Sequence, residues 1–349
     1  MPILSPRRKR LEEPYTMPET MPAVVFRGEG NWGVEEKPVP RLESDDDVLL
    51  RVDRASICGT DIHILSVPPG HPATPGSILG HEYTGTVVAH GARAGNLQRG
   101  DRVVIDPNLT CGLCRYCRLG LTNSCENMTT LGIFRHGGLA AFNVAPAKAL
   151  HRIDASVPPE RATLAEPLSC VMHAFEKAAL VPGETVCILG GGPIGLLFLL
   201  LFKTGGAGRV TVVEPVEFRR RTAAGLGAEV FASAEATEPE GADIVVDAAG
   251  TLLPEGVRLV RSGGRVLLFG MNLHGERPVN QYWITRRQVT VIGSFIQQTA
   301  FPKVVRLLEA GILPVEKLIT HRLPLAEVGA GLEAMRAGEA IKVVVAPNG

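Results

Sequence analysis

Two rhythms divide the chain. In the first half, short apolar runs at Ala23–Phe26, Val48–Val52, Thr84–Ala89 and Arg102–Ile105 are broken by Gly, Pro and Asp, with Pro38, Pro40 and the acidic turn Asp45–Asp47 between them. Runs of that length with that punctuation read as strands of a small, irregular β domain. After Val181-Pro182-Gly183-Glu184 the pattern changes. An apolar β run at Thr185–Leu189 leads into a glycine-rich turn and an apolar helix reaching about Thr204; a strand at Val210–Glu214 is followed by a helix to about Leu226. Further strands read at Ala228–Phe231, Asp243–Asp247, Arg265–Phe269 and Val289–Gly293. Strands that are apolar throughout and alternate with helices predict a parallel sheet covered on both faces. Helices around Pro302–Ala310 and Leu325–Ala337 and a strand at Ile341–Val345 close the chain, and residues 1–20, rich in Pro and charge, read as a loose tail. The longest apolar run, Ile194–Phe202, is far short of the roughly 20 residues a membrane span needs, so it reads as a buried helix.

Composition narrows the class. The 349 residues suit two domains, and a 45% hydrophobic content is enough for ordinary cores. Lys and Arg together number 36, as do Asp and Glu, so no net field favours nucleic acid or an anionic membrane surface. The basic run Arg7–Arg10 continues into Glu12-Glu13-Pro14 and precedes no apolar core segment, which is neither a secretory signal nor an anchor. Cysteine is odd in number, seven, and four of the seven fall between 111 and 125, which fits metal thiolates in a reducing cytoplasm better than a disulfide framework.

Three stretches carry candidate chemistry. Between Ile57 and Gly85, Cys58, His63, His81 and Glu82 sit among glycines and prolines. A thiolate, an imidazole and a carboxylate are what zinc takes when one position is left for water or substrate. Cys111-x2-Cys114-x2-Cys117-x7-Cys125 offers four thiolates able to close a tetrahedron, the mark of a structural zinc. Arg115 and Arg118 are the only basic residues inside that lobe, too few for a nucleic-acid face. Cys170 and Cys187 belong to neither cluster, and Cys187 reads as core. The third stretch, Gly190-Gly191-Gly192-Pro193-Ile194-Gly195, lies between a strand and a helix, and Glu214 ends the next strand. Gly190 permits the turn, Gly192 lets backbone N–H groups approach a pyrophosphate at the helix start, and Gly195 lets the helix pack on the strand. Glu214 accepts from ribose hydroxyls and repels a 2′-phosphate, favouring NAD over NADP; Arg219, Arg220 and Arg221 pull the other way, since a guanidinium can hold that phosphate.

The order of a Cys-Gly-Thr-Asp-x-His loop at 58–63, Gly80-His81-Glu82, the four-cysteine lobe, Glu166-Pro167-Leu168-Ser169 and the glycine loop resembles the zinc-containing medium-chain dehydrogenase/reductase superfamily over about residues 22–346, and within it the polyol dehydrogenases. The resemblance implies a GroES-like irregular β domain at 21–165 and 295–349, with the structural-zinc lobe at 108–127, plus a Rossmann doubly wound domain at 166–294. It implies two zinc ions per chain, the catalytic one held by Cys58, His81 and a carboxylate, Glu82 or Glu166, with Thr60 and His63 as proton relay. It implies oxidation of a secondary alcohol, a polyol first, to a ketone by hydride transfer to the nicotinamide, and a homodimer or homotetramer pairing through Val289–Gly293. Rival readings are an L-threonine 3-dehydrogenase or sugar dehydrogenase activity, and a non-catalytic cofactor-binding structural protein. Ala141 and Phe142, where relatives often carry Glu and Tyr, and the short stretch 233–241 depart from the pattern. Ile64, Phe134, Arg135, Phe295 and Ile296 are expected around the substrate pocket, and 66–78 as a plain connector.

Overall fold

The two rhythms become two sheets. The computed structural model describes residues 17–273 and 275–349. The tail expected over 1–20 lies mostly outside the described residues; its last residue, Thr20, already pairs with Pro38 as the strand Thr20–Gly28 runs against Asn31–Pro38.

The first sheet is mixed and has seven strands. Along it run Ile319–Pro324, Lys342–Ala346, Asp47–Ile57, Glu82–His90, Arg102–Ile105 and Leu150–Arg152, with Phe142–Pro146 also paired to Asp47–Ile57. Asp47–Ile57 is the axis, since Val48, Leu50, Val52, Ala55 and Ile57 are fully buried. Its register places Ser56 opposite Glu82 on one side and Ile57 opposite Val343 on the other. The next residue, Cys58, therefore leaves the strand between residues far away in sequence.

The second sheet is wholly parallel, in the order Glu229–Phe231, Arg209–Val213, Thr185–Leu189, Ala242–Asp247, Val260–Leu268, Thr290–Gly293. This is the doubly wound order whose chain reversal beside the first strand opens a crevice at the strand C-termini. The helix Pro193–Thr204 buries Leu196 through Phe202, each at most 5% exposed, between the sheet and the helix Ala165–Ala178. Phe175 meets Phe202 edge-on, with ring centroids 5.1 Å apart.

Most expected strands are present within two residues of their expected ends. Val260–Leu268 begins five residues before the expected Arg265, because Val260 pairs with Ala242 across a register shift. The pattern did not disclose the half-exposed strands Asn31–Pro38 and Ile319–Pro324, the short buried strand Phe142–Pro146 with Asn143 inside it, or the helix Ala165–Ala178 with Pro at its third position. At 233–241 there is only a 3-10 turn, Ala234–Ala236, and a cavity of about 220 Å³ lies between this stretch and the sheet, lined by Cys187, Thr211, Phe231 and Thr237. Among the described residues no helix is long and apolar enough to cross a membrane.

Candidate active site

Cys58, the residue after the axial strand, lies beside His81 and Glu82, which respectively precede and open the strand Glu82–His90 paired with it. One ligand atom from each of the three lies within 4.8 Å of the others. His81 and Glu82 are 5% and 1% exposed, and their burial needs compensation. Glu82 Oε2 receives it from Ser56 Oγ and from the ammonium of Lys342, itself buried on the strand Lys342–Ala346 across the axial strand. Burial works against the Lys342 charge, but Glu82, Cys58 and Glu166 outweigh it and hold its pKa above the ordinary lysine value. Lys342 escaped the sequence reading, although a single lysine inside Ile341-Lys342-Val343-Val344-Val345 was a visible anomaly.

Asp61 was missed as well. It is 1% exposed; its Oδ2 accepts from the Cys58 N–H at 2.8 Å, and its Oδ1 lies 3.9 Å from His81 Nδ1. Neither of those last two atoms has a hydrogen-bond partner among the described residues. Burial pushes against protonation of His81, yet Cys58 and Asp61 beside it raise its pKa well above the usual imidazole value. With Asp61 on the Nδ1 side, Nε2 is left for an ion, in the carboxylate–histidine–metal pattern that orients metal-binding imidazoles. The converging soft and hard donors Cys58, His81 and Glu82 fit a zinc ion.

Glu166 lies in the first turn of the helix Ala165–Ala178, 8% exposed, outside the three-ligand set. Burial pushes its pKa up to about 7. The Cys170 thiol, one helical turn on, lies 3.6 Å from Glu166 Oε1 and 3.1 Å from Gln297 Oε1, and Gln297 Nε2 donates to Asp106 at 2.6 Å. Cys170, Gln297 and Asp106 carried no sequence signal that joined them.

Cys58 Sγ lies 3.7 Å from Thr60 Oγ1. Thr60 and His63 are three apart on the helix Gly59–Ile64 and so share its face, with His63 exposed to solvent. The stretch 66–78 is more than a connector. Its His71 is half-buried, its ring centroid is 6.4 Å from that of Phe134, and burial lowers its pKa. One expected pocket residue lies elsewhere, since Ile64 is fully buried in the core. The departures Ala141 and Phe142, 5% and 1% exposed, pack with Met21, Leu49 and Ile78. Phe134 and Arg135 line a groove of about 1410 Å³ with Met17, Leu42 and Val144. Phe295 is exposed, and Ile296 takes a left-handed φ of 37°.

The sulfurs of Cys111, Cys114, Cys117 and Cys125 lie within 4.8 Å of one another. Backbone N–H groups of Leu113 and Cys114 donate to Cys111 Sγ at 3.4 Å and pull its pKa down to about 6. N–H donation to sulfur stabilises thiolate, the form a metal takes, so this lobe fits zinc too.

In the glycine loop each residue meets a different constraint. Gly190 has φ +107°, a Cβ on Gly192 would meet nothing within 4 Å, and one on Gly195 would stand 1.9 Å from Gly190 O. Pro193 and Ile194 open the helix behind this open cradle. Glu214 is 4% exposed; its Oε2 accepts from Gly191 N at 2.7 Å and its Oε1 from Val216 N at 2.8 Å. A carboxylate oxygen has two acceptor sites, so capacity for ribose hydroxyls remains. Arg220 and Arg221 are tied to Glu217, whereas Arg219 Nε has no partner among the described residues. The empty space at Gly192 and the clamped acidic residue fit a dinucleotide.

The profile of the alcohol dehydrogenase GroES-like domain matches residues 44–155 and that of zinc-binding dehydrogenases residues 193–310. A D-altritol 5-dehydrogenase of Agrobacterium fabrum is 37% identical, over 88% of this chain and 94% of its own length. An L-threonine 3-dehydrogenase of Bacillus velezensis is 31% identical over 93% and 98%. A Sinorhizobium meliloti 1021 chain assigned to the zinc-binding dehydrogenases and solved bound to NADP superposes with TM-score 0.89 at 32% identity, covering 94% of this chain and 99% of that one.

Proposed function

Because the chain belongs to the zinc-containing medium-chain dehydrogenases with a GroES-like domain, close to the polyol dehydrogenases, we propose that it oxidises a polyol at a secondary alcohol to a ketone, with zinc and NAD. The observation that carries this reading is the convergence of Cys58, His81 and Glu82 within 4.8 Å at the end of one strand. All three, and the four-cysteine lobe, fall inside the 44–155 match, and Glu166 falls outside both matches.

When bound, zinc supplies a Lewis acid that lowers the pKa of an alcohol oxygen, and the nicotinamide dinucleotide supplies the hydride acceptor. The chain's own groups do the rest. Cys58 and His81 hold the ion, Asp61 fixes the imidazole, and Lys342 with Ser56 fixes the Glu82 carboxylate. Glu166 reaches the site as a ligand or through a water. Thr60 takes the proton from the substrate hydroxyl, and His63 passes it to solvent. Gly190, Gly192 and Gly195, with Pro193 and Ile194, hold the pyrophosphate at the helix start. Glu214 favours NAD; Arg219, whose Nε has no partner among the described residues, is the group that would admit NADP, the cofactor of the Sinorhizobium neighbour.

Cys111, Cys114, Cys117 and Cys125 hold a second, structural zinc. Seven free cysteines accord with a reducing cytoplasm. The edge strand Thr290–Gly293 is the surface for pairing into a homodimer or homotetramer. An L-threonine 3-dehydrogenase activity is the second reading, favoured by the 31% identity to the Bacillus velezensis enzyme.

The test is a screen of polyols and L-threonine with NAD and NADP, following absorbance of the reduced cofactor, on wild type and Cys58→Ser. Polyol-dependent reduction lost in Cys58→Ser, with nicotinamide affinity retained, is the expected result. Turnover retained in Cys58→Ser sinks the metal assignment, and equal efficiency with NADP sinks that of Glu214.

A further inference from the structure

Beside Glu166 lies a polar chain that the reaction does not use. Gln297 is 3% exposed, and its two ends are assigned by chemistry. The acceptor Asp106 faces Nε2 at 2.6 Å, so Oε1 must face the Cys170 thiol, 3.1 Å away. That thiol is also 3.6 Å from Glu166 Oε1. Cys170 has one proton and two acceptors, and the nearer is Gln297.

Gln297 is in turn held from the four-cysteine lobe. Asn123 Nδ2 donates to Phe295 O at 2.8 Å, and Gln298 Nε2 donates to Gly120 O. Both residues that flank Ile296-Gln297 are thus tied to the lobe. Ile296 keeps its left-handed φ of 37°, unfavourable for a β-branched residue, and strain of that kind persists only where surroundings over-determine it.

We propose that Gln297 is a positioning residue that keeps the Cys170 proton off Glu166, and that the four-cysteine lobe holds Gln297 in place to do so. This rests on the reading of Glu166 as a carboxylate of the metal site. Without the Gln297 carbonyl, the thiol turns to Glu166 Oε1, ties up one of its lone pairs and draws the carboxylate toward its own helix. The lobe, with no part in the chemistry, then governs how the catalytic carboxylate stands.

The test uses full-length Gln297→Met, Gln297→Met/Cys170→Ala and Glu166→Gln. Each is titrated with Co²⁺ after metal removal, reading the visible bands of the one-thiolate site apart from those of the four-thiolate lobe, and each is assayed for kcat and KM. Gln297→Met is expected to weaken Co²⁺ binding and lower kcat by about tenfold, the low end for an outer-shell partner, with the KM for NAD unchanged. Cys170→Ala in that background removes the misdirected thiol and restores both to within about twofold. A double variant no better than the single makes Gln297 a packing residue and overturns the proposal. Glu166→Gln with both readouts unchanged overturns the reading of Glu166 and the proposal with it. If Gln297→Met does not fold, Asn123→Ala/Gln298→Ala takes its place: the same loss, rescued by Cys170→Ala, is expected, and no loss overturns the role of the lobe.

Discussion

Two glycines three residues apart should fail in different ways when each gains a methyl group. Gly192 has φ −70° and ψ −177°, ordinary extended backbone, and its Cβ would meet nothing within 4 Å. Replacing it by Ala narrows the unfolded ensemble, worth about 0.4–1 kcal/mol, and loses about 0.5–1 kcal/mol at the helix N-cap. The two nearly cancel, so Tm should move by no more than about 2 °C. The methyl group does occupy the space in front of the helix N–H groups. If a pyrophosphate sits there, Gly192→Ala should weaken NADH binding at least tenfold, about 1.4 kcal/mol. A Cβ on Gly195 would stand 1.9 Å from Gly190 O, where real contacts stay beyond 3.0 Å. Helix and loop must part by about 1 Å, a displacement of the overpacking kind that costs about 1–3 kcal/mol. Helix propensity returns up to about 1 kcal/mol of that. A Tm lower by about 2–8 °C is expected for Gly195→Ala. Thermal melts and NADH fluorescence titrations separate the two. Wild-type NADH affinity in a folded Gly192→Ala protein would refute the cradle.

In the metal-free protein Lys342→Met leaves Glu82 buried without a cation and should destabilise the fold by about 3–5 kcal/mol in urea titrations; a change below about 1 kcal/mol would mean that Ser56 alone compensates Glu82. Thr60→Ala should lower kcat about 10²-fold if its hydroxyl moves the substrate proton, and an unchanged rate removes it from the relay. Asp243 supplies a pH test. Burial would raise its pKa, but the Thr185 N–H and hydroxyl at 2.7 Å and Arg261 at 2.6 Å outweigh it and bring it down to about 2. Its folded pKa is depressed, so its contribution is complete above the unfolded value near 3.9 and fades as pH falls through the folded one. Asp243→Asn should therefore cost about 1–2 kcal/mol at about pH 6, and the gap to wild type should narrow below about pH 4 and close only below about pH 2. A gap independent of pH contradicts this. Metal analysis of the purified chain should find two zinc ions, falling to one in Cys58→Ser; two retained would place neither at Cys58.

What the sequence determined by itself was everything local. The parallel sheet was visible because short runs rich in apolar residues alternate with helical stretches. The glycine loop was visible because its constraints act within six residues, and the four-cysteine lobe because its ligands span fifteen. The register of the mixed sheet was not local. Ser56 opposite Glu82 and Ile57 opposite Val343 bring Lys342 to a carboxylate 260 residues away, and a slip of one residue would have turned it to the other face. Gln297 reached Asp106 across 191 residues in the same manner. Nor did spacing tell that Ile64 and Phe142 turn inward, or that Glu166 lies outside the set Cys58, His81 and Glu82 with the Cys170 thiol 3.6 Å from its carboxylate. Burial decides which polar groups must find partners, and only the closed tertiary structure fixes what is buried beside what.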